Sequence, residues 1–512
     1  MFQPTARIPT AAAAGLRIAP SAVPPHASSA TQAPCAPTSS PPSFPSMHRL
    51  TRNHSSFSHI SYCHSVTVSR SHRHCHHHIQ TTPSAAAPSA ARSFSSTATA
   101  GPSSPPPDSQ PASTLPAGPA PRSLGFRMPG EFEPHAGTWM AFPYDPHLWR
   151  EAAVPAQQQM AALAAAVAQF EPVWMVADPR VAHVARRLLR DVPGVEVLPL
   201  PTNDVWTRDW GPTCVVRDDL ESGSREVAAV LWDYNCYGAP IKKEWGKPVL
   251  LPDWSADKAA GGQLAARAGL RTFRCELHLE GGSIHCDGLG TLLATEECLL
   301  HPSRNPHLSR ADIEAQLCEF LGATRVVWLR KGMAGDEKGT NGHVDNVATF
   351  SEPGTVLLAW CDDPRDAQQH RVSQLNLEAL QAAGVDATGR PLRVVKVPCP
   401  EPPIVVTEAE AGGLAARAAA AGYGGVAVAG VRLPGSYINH YVVNGGVVVP
   451  QFGGEQSDSD AAALSVLSAA YPGRRVVGVL TRELLLGGGN VHCLTQQLPT
   501  GWRGRHVLGE KS

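Results

Sequence analysis

Several features that define common protein classes are missing from this sequence of 512 residues. None of its 12 cysteines belongs to a C-x-x-C pair, so neither a zinc framework nor a thioredoxin-like redox motif is indicated. No stretch reaches the run of about 20 apolar residues that a membrane helix requires. We therefore expect no membrane span, and most cysteines should be small buried residues in a reducing compartment.

Acidic side chains are nearly absent from residues 1–122, where Asp108 stands alone against eight arginines. Ser, Pro, Ala, Thr and His dominate this segment, and no hydrophobic period runs through it. So little buriable surface cannot offset the entropy lost on ordering a backbone, which predicts disorder. An Arg-rich, Ser-rich and acid-poor composition is typical of organelle transit peptides. We predict targeting to the chloroplast, with the mitochondrion or the cytoplasm as alternatives.

Acids outnumber bases in the rest of the chain. Residues 123–512 contain 35 basic and 43 acidic side chains, a net charge of −8. This charge argues against nucleic acid as a partner and favours encounter with small cations, although the ordinary solubility of a globular enzyme explains it equally well.

Short Val-rich runs alternate with longer amphipathic ones after residue 123, which indicates an α/β fold. Turn residues recur throughout, so we predict one catalytic domain over residues 123–512. The predicted strands are 173–176, 325–329, 355–360, 393–397, 441–449 and 475–480. The predicted helices are 156–170, 181–192, 313–321 and 458–470. Ser309 and Asp312 form a helix-capping pair before the third of these helices.

Two segments echo each other, since residues 281–286 and 488–493 both read Gly-Gly-x-x-His-Cys. Glycine pairs let the backbone approach a ligand closely. If the domain consists of related supersecondary units around a common centre, both segments should line one central site.

Acidic residues mark two candidate segments. Asp204, Trp206, Arg208 and Asp209 crowd into one short stretch, for which a structural ion pair beside core tryptophans is an equal alternative. Glu280 stands directly before a glycine pair, where a solvated turn is the plain alternative.

His343 and Asp345 lie two residues apart, so on an extended strand both side chains point to the same face. This pairing suits a proton-transfer histidine beside an anion. It could also form half of a metal site, but no convincing third ligand accompanies it. The His- and Cys-rich run at 72–78 could bind a metal ion as well, although low-complexity sequence is the simpler explanation.

Cys493 follows three glycines and is the candidate nucleophile. Any single cysteine is more often a buried spectator, so this assignment depends on its neighbours. Cys286, next to His285, is the competing thiol, for which a buried and inert side chain is the favoured interpretation.

Together and in this order, these segments resemble the agmatine deiminase family within the guanidine-modifying enzymes. The resemblance runs from about residue 127 to residue 499 and rests on long stretches as well as on the single residues. They include Met128-Pro129-Gly130-Glu131-Phe132-Glu133-Pro134-His135, Tyr437-Ile438-Asn439 and Gly487-Gly488-Gly489-Asn490-Val491-His492-Cys493-Leu494-Thr495-Gln496-Gln497. Ala334 and Gly335 stand where the family often carries an aromatic residue, so contacts to the substrate tail should differ.

The resemblance implies a five-bladed propeller of ββαβ units, the pentein fold, with the site on the central axis and without metal or organic cofactor. It implies hydrolysis of agmatine to N-carbamoylputrescine and ammonia, a step from arginine to putrescine in polyamine synthesis. Cys493 would attack and form a covalent amidino-cysteine, and His343 would transfer protons. Glu280, Asp209 and Asp345 would bind the guanidinium, whose paired N–H groups suit carboxylates.

Two other functions are alternatives at this stage: a deiminase of arginine or peptidyl-arginine, and a non-catalytic module that binds polyamines. Trp206 and Asp204 are the candidates for contact with the distal ammonium of agmatine. The sequence is compatible with a homo-oligomer.

Overall fold

The computed structural model describes residues 118–424 and 428–502. Residues 1–117 of the predicted extension, including the run at 72–78, lie outside the described residues. Among the helices that are described, none combines the length and the apolar character needed to cross a bilayer.

The described residues form sixteen strands in five sheets. The strands are β1 (His135–Ala141), β2 (Val173–Ala177), β3 (Val195–Pro199), β4 (Thr213–Asp219), β5 (Ser224–Leu231), β6 (Arg271–Arg274), β7 (Ile284–Cys286), β8 (Thr291–Thr295), β9 (Arg325–Leu329), β10 (Ala348–Glu352), β11 (Thr355–Trp360), β12 (Arg393–Pro398), β13 (Tyr441–Val443), β14 (Gly446–Gln451), β15 (Arg475–Leu480) and β16 (Thr495–Pro499).

Longer helices connect these strands, and several short helical turns lie between them. The α-helices are α1 (Val154–Val167), α2 (Ala182–Leu189), α3 (Thr207–Trp210), α4 (Ala239–Glu244), α5 (Ser255–Arg267), α6 (Glu296–Leu299), α7 (Arg310–Leu321), α8 (Ala367–Ala383), α9 (Glu408–Ala411), α10 (Leu414–Ala420), α11 (Ser457–Ala470) and α12 (Arg482–Leu485). Turns of 3-10 helix cover Pro121–Leu124, Arg150–Ala153, Gly281–Ser283, Val344–Asn346 and Gly454–Gln456.

Each sheet repeats one pairing pattern. Its first two strands are antiparallel, as in β4 with β5, and its third strand is parallel to the second, as in β6 with β5. A parallel pair needs a long crossover, which here contains a helix. This pattern matches the ββαβ unit that the sequence resemblance implies.

The first sheet is completed by the far end of the chain. Its order is β16-β1-β2-β3, and β16 pairs antiparallel to β1 with Thr138 opposite Gln497 and Met140 opposite Thr495. β16 therefore takes the place that β4, β7, β10 and β13 hold in the other sheets.

Most predicted elements are confirmed, with small shifts of their ends. The capping pair of α7 is present, since Ser309 accepts from the backbone of Asp312 and the Asp312 carboxylate accepts from that of Ser309. The prediction of a single strand at 441–449 is wrong. The chain turns at Asn444 and Gly445, and β13 and β14 pair as a hairpin. Gly445 has a φ of 72°, a conformation that Asn-Gly turns of hairpins require.

Candidate active site

The candidate site is assembled from the segments that lead into the first strand of each sheet. These segments precede β4, β7, β10, β13 and β16. Among their buried side chains are Asp209, Glu280, His343 with Asp345, Asn439 and Cys493, in that order. The repeated unit thus delivers side chains from all five sheets to one cluster. It also unites the five residues to which the sequence assigned catalytic roles.

The Cys493 sulfur has two polar neighbours. Asn439 Nδ2 donates to Sγ at 3.2 Å, and the thiol donates to Asp345 Oδ2 at 3.4 Å. Burial raises the pKa of the Cys493 thiol well above its usual range, and the negative charges of Asp345 and Asp209 raise it further. The protonated thiol is therefore the favoured form, and a positive charge placed beside the sulfur would lower its pKa.

The imidazole of His343 lies between two carboxylates. Its Nδ1 is 3.7 Å from Asp209 Oδ1, and its Nε2 is 3.5 Å from Glu280 Oε2. Burial acts to lower the pKa of His343, but the charge of Asp209 and contacts with Cys298 and Glu280 raise it well above its usual range. These charges favour the imidazolium form of His343, although neither ring nitrogen makes a hydrogen bond within the described residues. As an imidazolium, His343 can donate a proton to a leaving group.

Asp209 and Asp345 have different environments. Asp209 Oδ2 accepts from the Tyr237 hydroxyl at 2.8 Å, and its Oδ1 accepts from the Gly282 backbone at 3.0 Å. Burial raises the pKa of Asp209 to about 6, against the opposing charge of His343. Burial also disfavours the charged form of Asp345, but hydrogen bonding to His492 lowers its pKa. Asp345 is the more firmly ionised of the two.

Two glycines of the echoed segments leave room for this cluster. A Cβ at Gly282 would lie 2.7 Å from His343 Nδ1, 2.8 Å from Asp209 Oδ1 and 3.0 Å from Asp345 Oδ2. A Cβ at Gly489 would lie 2.7 Å from the Trp206 ring and 3.1 Å from the Cys493 sulfur. Any larger residue at these positions would push the polar groups apart.

Arg304 is a site residue that the sequence did not reveal. It is fully buried, and its Nε lies 2.9 and 3.1 Å from the two carboxylate oxygens of Glu280. Its NH1 and NH2 groups donate to Asn341 Oδ1 and to the Thr340 carbonyl, which precede His343. The pKa of Glu280 is lowered to about 2, because burial is outweighed by Arg304 and His343. Arg304 thus keeps Glu280 ionised and connects it to the residues that precede His343.

Trp206 and Asp204, the predicted contacts for the substrate tail, lie together at the edge of the cluster. The Trp206 ring packs beside Gly489, and its Nε1 donates to Asp204 Oδ2 at 2.7 Å. Asp204 Oδ1 has no hydrogen-bond partner among the described residues. Burial raises the pKa of Asp204 to about 7.

Cys286 is separate from the chemical cluster. Its thiol donates to the Met128 carbonyl at 3.3 Å, and its sulfur accepts from the Gly288 backbone at 3.2 Å. Burial raises the pKa of the Cys286 thiol far above neutrality. These contacts agree with the interpretation of an inert buried thiol.

A second buried network lies behind Asp345 and was also missed by the sequence. Glu131 accepts from Arg208 NH1 at 3.0 Å and lies 2.9 Å from His492 Nε2 and 3.6 Å from His285 Nε2. Glu131 belongs to the stretch that carried the family resemblance, but nothing local indicated a partner 361 positions away.

Two groups of described side chains have the donor atoms of a metal site: Glu131 with His285 and His492, and Glu280 with Cys298 and His343. The carboxylate of each group already pairs with a buried arginine, Arg208 in the first and Arg304 in the second. Each arginine lies about 3 Å from the carboxylate, at 3.0 Å for Arg208 and 2.9 Å for Arg304, and a fixed positive charge so close to the carboxylate repels a metal cation. We therefore assign both groups as charge-compensated networks.

Residues 127–499 match the family model of the Porphyromonas-type peptidyl-arginine deiminases. The chain belongs to this family. Among curated members, the agmatine deiminase of Ectopseudomonas mendocina is 43% identical over 380 residues, which are 74% of this chain and 97% of that protein. The agmatine deiminase of Medicago truncatula is 40% identical over 383 residues, 74% of this chain and 98% of the other.

A solved structure of this family has the same fold. The agmatine deiminase of Enterococcus faecalis superposes with a TM-score of 0.67 at 34% identity, covering 76% of this chain and 99% of that one. The predicted family resemblance and the α/β pentein fold are thereby confirmed. The five sheets described above are the repeated units of that fold.

Proposed function

We propose that this chain is an agmatine deiminase, which hydrolyses agmatine to N-carbamoylputrescine and ammonia. One observation carries the proposal: a thiol, an imidazole and three carboxylates, supplied by the segments before four different sheets, meet in one buried cluster. Curated relatives with this activity match the domain over nearly their full length. The reaction converts an arginine-derived amine into a putrescine precursor, which is a step of polyamine synthesis.

Substrate binding supplies the positive charge that the cluster needs. Asp345 and Glu280 are ionised, and a neighbouring cation further favours the ionised form of Asp209, so the planar guanidinium meets several acceptors for its N–H groups. The same cation lowers the cost of forming the Cys493 thiolate. Nucleophile activation is therefore coupled to occupancy of the site, and an empty enzyme stays unreactive.

The Cys493 thiol releases its proton to solvent as the cation binds, and the resulting thiolate attacks the guanidinium carbon and forms a tetrahedral adduct. His343 donates its proton to the departing nitrogen, ammonia leaves, and an amidino group remains bound to the Cys493 sulfur. His343 is then neutral and can accept a proton from water that attacks the amidino carbon. Collapse of the second adduct breaks the carbon–sulfur bond, the hydroxyl proton of the adduct passes to the sulfur and restores the thiol, and N-carbamoylputrescine is released.

A deiminase of free or peptidyl arginine would need a cation for the substrate carboxylate or its peptide surroundings. The two buried arginines of the described networks, Arg208 and Arg304, are already paired with Glu131 and Glu280. The acidic site therefore favours agmatine, whose tail ends in an ammonium.

Residues 123–512 supplied separately with agmatine and with arginine provide the test, with ammonia release and the mass of the product as readouts. We expect ammonia and N-carbamoylputrescine from agmatine alone. Turnover of arginine alone would favour the alternative deiminase. Binding of agmatine without turnover of either compound would favour a non-catalytic module.

We further propose that residues 1–122 direct the chain to the chloroplast and take no part in catalysis. The support is their composition, since they carry eight arginines and one acid. A fusion of residues 1–122 to a fluorescent protein should accumulate in chloroplasts of plant cells. Accumulation in mitochondria or in the cytoplasm would contradict this proposal.

A further inference from the structure

The histidine next to the nucleophile has no role in the mechanism above, although the echoed motif singled it out. His492 is buried, and its ring lies between two carboxylates. Nδ1 is 2.9 Å from Asp345 Oδ2, and Nε2 is 2.9 and 3.0 Å from the two oxygens of Glu131. Ionised carboxylates only accept hydrogen bonds, so both ring nitrogens must donate. The ring is a cation held between two anions.

His285, which occupies the same position in the other copy of the motif, has different hydrogen-bond partners. Its Nδ1 accepts from the Phe350 backbone at 3.3 Å, and its Nε2 lies 2.7 Å from Thr349 Oγ1. Among the described residues, the one carboxylate paired with this ring is that of Glu131, at 3.6 Å from Nε2, compared with the two carboxylates within 3.0 Å of His492. The motif alone therefore does not explain the cationic form of His492. Its two carboxylate partners do.

The consequence of this arrangement falls on Asp345. Its Oδ2 accepts from both His492 and the Cys493 thiol, whereas its Oδ1 has no hydrogen-bond partner among the described residues. Two donors on one oxygen oppose rotation of the carboxylate group. A buried acceptor without a donor is costly, so Oδ1 is suited to receive an N–H group that arrives with the substrate.

We infer that His492 is a positioning residue that orients the Asp345 carboxylate through its bond to Asp345 and its anchor on Glu131. The Oδ2 atom of Asp345 thereby stays in contact with the Cys493 sulfur, and its Oδ1 atom faces the position of the substrate guanidinium. Arg208 supports the anchor by donating to Glu131 at 3.0 Å. This inference rests on the proposed function, because the guanidinium is the group that Oδ1 receives.

Asparagine and glutamine at position 492 provide a matched test, because each keeps one of the two N–H donors of the His492 ring. The amide nitrogen of His492→Asn takes the place of Nδ1 and can still donate to Asp345. That of His492→Gln takes the place of Nε2 and can still donate to Glu131. We expect His492→Asn to keep kcat/KM for agmatine within about fivefold, and His492→Gln to lower it by about 10- to 100-fold, the loss of a hydrogen bond to a charged group. Equal losses, or the reverse order, would overturn the inference.

His135→Asn controls for a general effect of removing a buried histidine. His135 is buried and pairs through Nδ1 with Glu171 at 3.1 Å, outside the candidate site. We expect this variant to lower the melting temperature while kcat/KM per folded molecule stays within about twofold. A loss as large as that of His492→Gln would show that burial, rather than the orientation of Asp345, is what matters.

A spectroscopic measurement tests the inference without any substrate. In protein labelled with 15N-histidine, the His492 ring is the one whose signals disappear in His492→Asn. We expect both of its nitrogens to be protonated at about pH 8, where a free imidazole is neutral. A neutral ring would overturn the inference whatever the activity is. A doubly protonated ring in a protein that fails to turn over agmatine would refute the proposed function instead.

Discussion

Replacing Gly282 with alanine should disable the site through a single methyl group. The added Cβ would lie 2.7 Å from His343 Nδ1, 2.8 Å from Asp209 Oδ1 and 3.0 Å from Asp345 Oδ2. Ordinary contact begins near about 3.5 Å, so the neighbours must each move by about 0.5 to 0.8 Å. All three are buried, and displacements of this size cost catalysis about 100-fold. We therefore expect kcat/KM for agmatine to fall by about two orders of magnitude.

Gly262→Ala is the matched control. Gly262 lies within α5, and a Cβ there would meet only Leu231 at 3.7 Å, an ordinary contact. Alanine is favoured over glycine in a helix by about 0.5 to 1 kcal/mol, so this variant should unfold at higher denaturant concentration and keep its activity. Steady-state kinetics and urea unfolding of both variants are the assays. A Gly282→Ala enzyme with kcat/KM within about threefold of the parent would refute the packing argument.

Four other substitutions test separate parts of the site. Cys493→Ala should abolish ammonia release, and Cys286→Ala should keep it within about twofold, since only the former thiol touches the cluster; the opposite result would exchange their roles. Arg304→Met leaves Glu280 buried without its partner, so urea unfolding should show a loss of about 3 to 5 kcal/mol; an unchanged midpoint would contradict the pairing. Burial raises the pKa of Asp204 to about 7. Its carboxylate therefore destabilises the fold progressively as the pH rises from the ordinary pKa of an aspartate, about 3.9, to about 7. Asp204→Asn should therefore be more stable than the parent at about pH 8, by up to about 4 kcal/mol, and not at about pH 4; equal gains at both would refute this cause.

Local signals in the sequence predicted the fold where one element decides its own structure. The α7 cap is an example, because Ser309 and Asp312 satisfy each other's backbone within one turn. The prediction of one strand at 441–449 was wrong because a local turn signal was given too little weight. The valines on both sides of Asn444 and Gly445 favoured one strand, but the chain reverses at this pair, where Gly445 has a left-handed φ, and β13 is thereby separated from β14.

The chemical side chains were predicted because each stands in a recognisable segment before a strand. Their supporting residues were not. Arg304 lies 24 positions from Glu280, and Glu131 lies 361 positions from His492, so only the assembled sheets bring them together. A pattern read along the chain can reveal a nucleophile or an acid. It cannot reveal which distant charge keeps that acid ionised.

The pairing of β16 with β1 determines when the protein can acquire its chemistry. Ribosomes make β1 early and the Cys493 segment with β16 late, so during most of translation the first sheet lacks its outer strand. Cys493 lies two residues before β16, so its thiol can contact Asp345 and Asn439 only after this late segment has been made. A nascent chain, or one terminated before residue 493, consequently lacks the proposed nucleophile, and the site is complete only once the segment leading into β16 has been made.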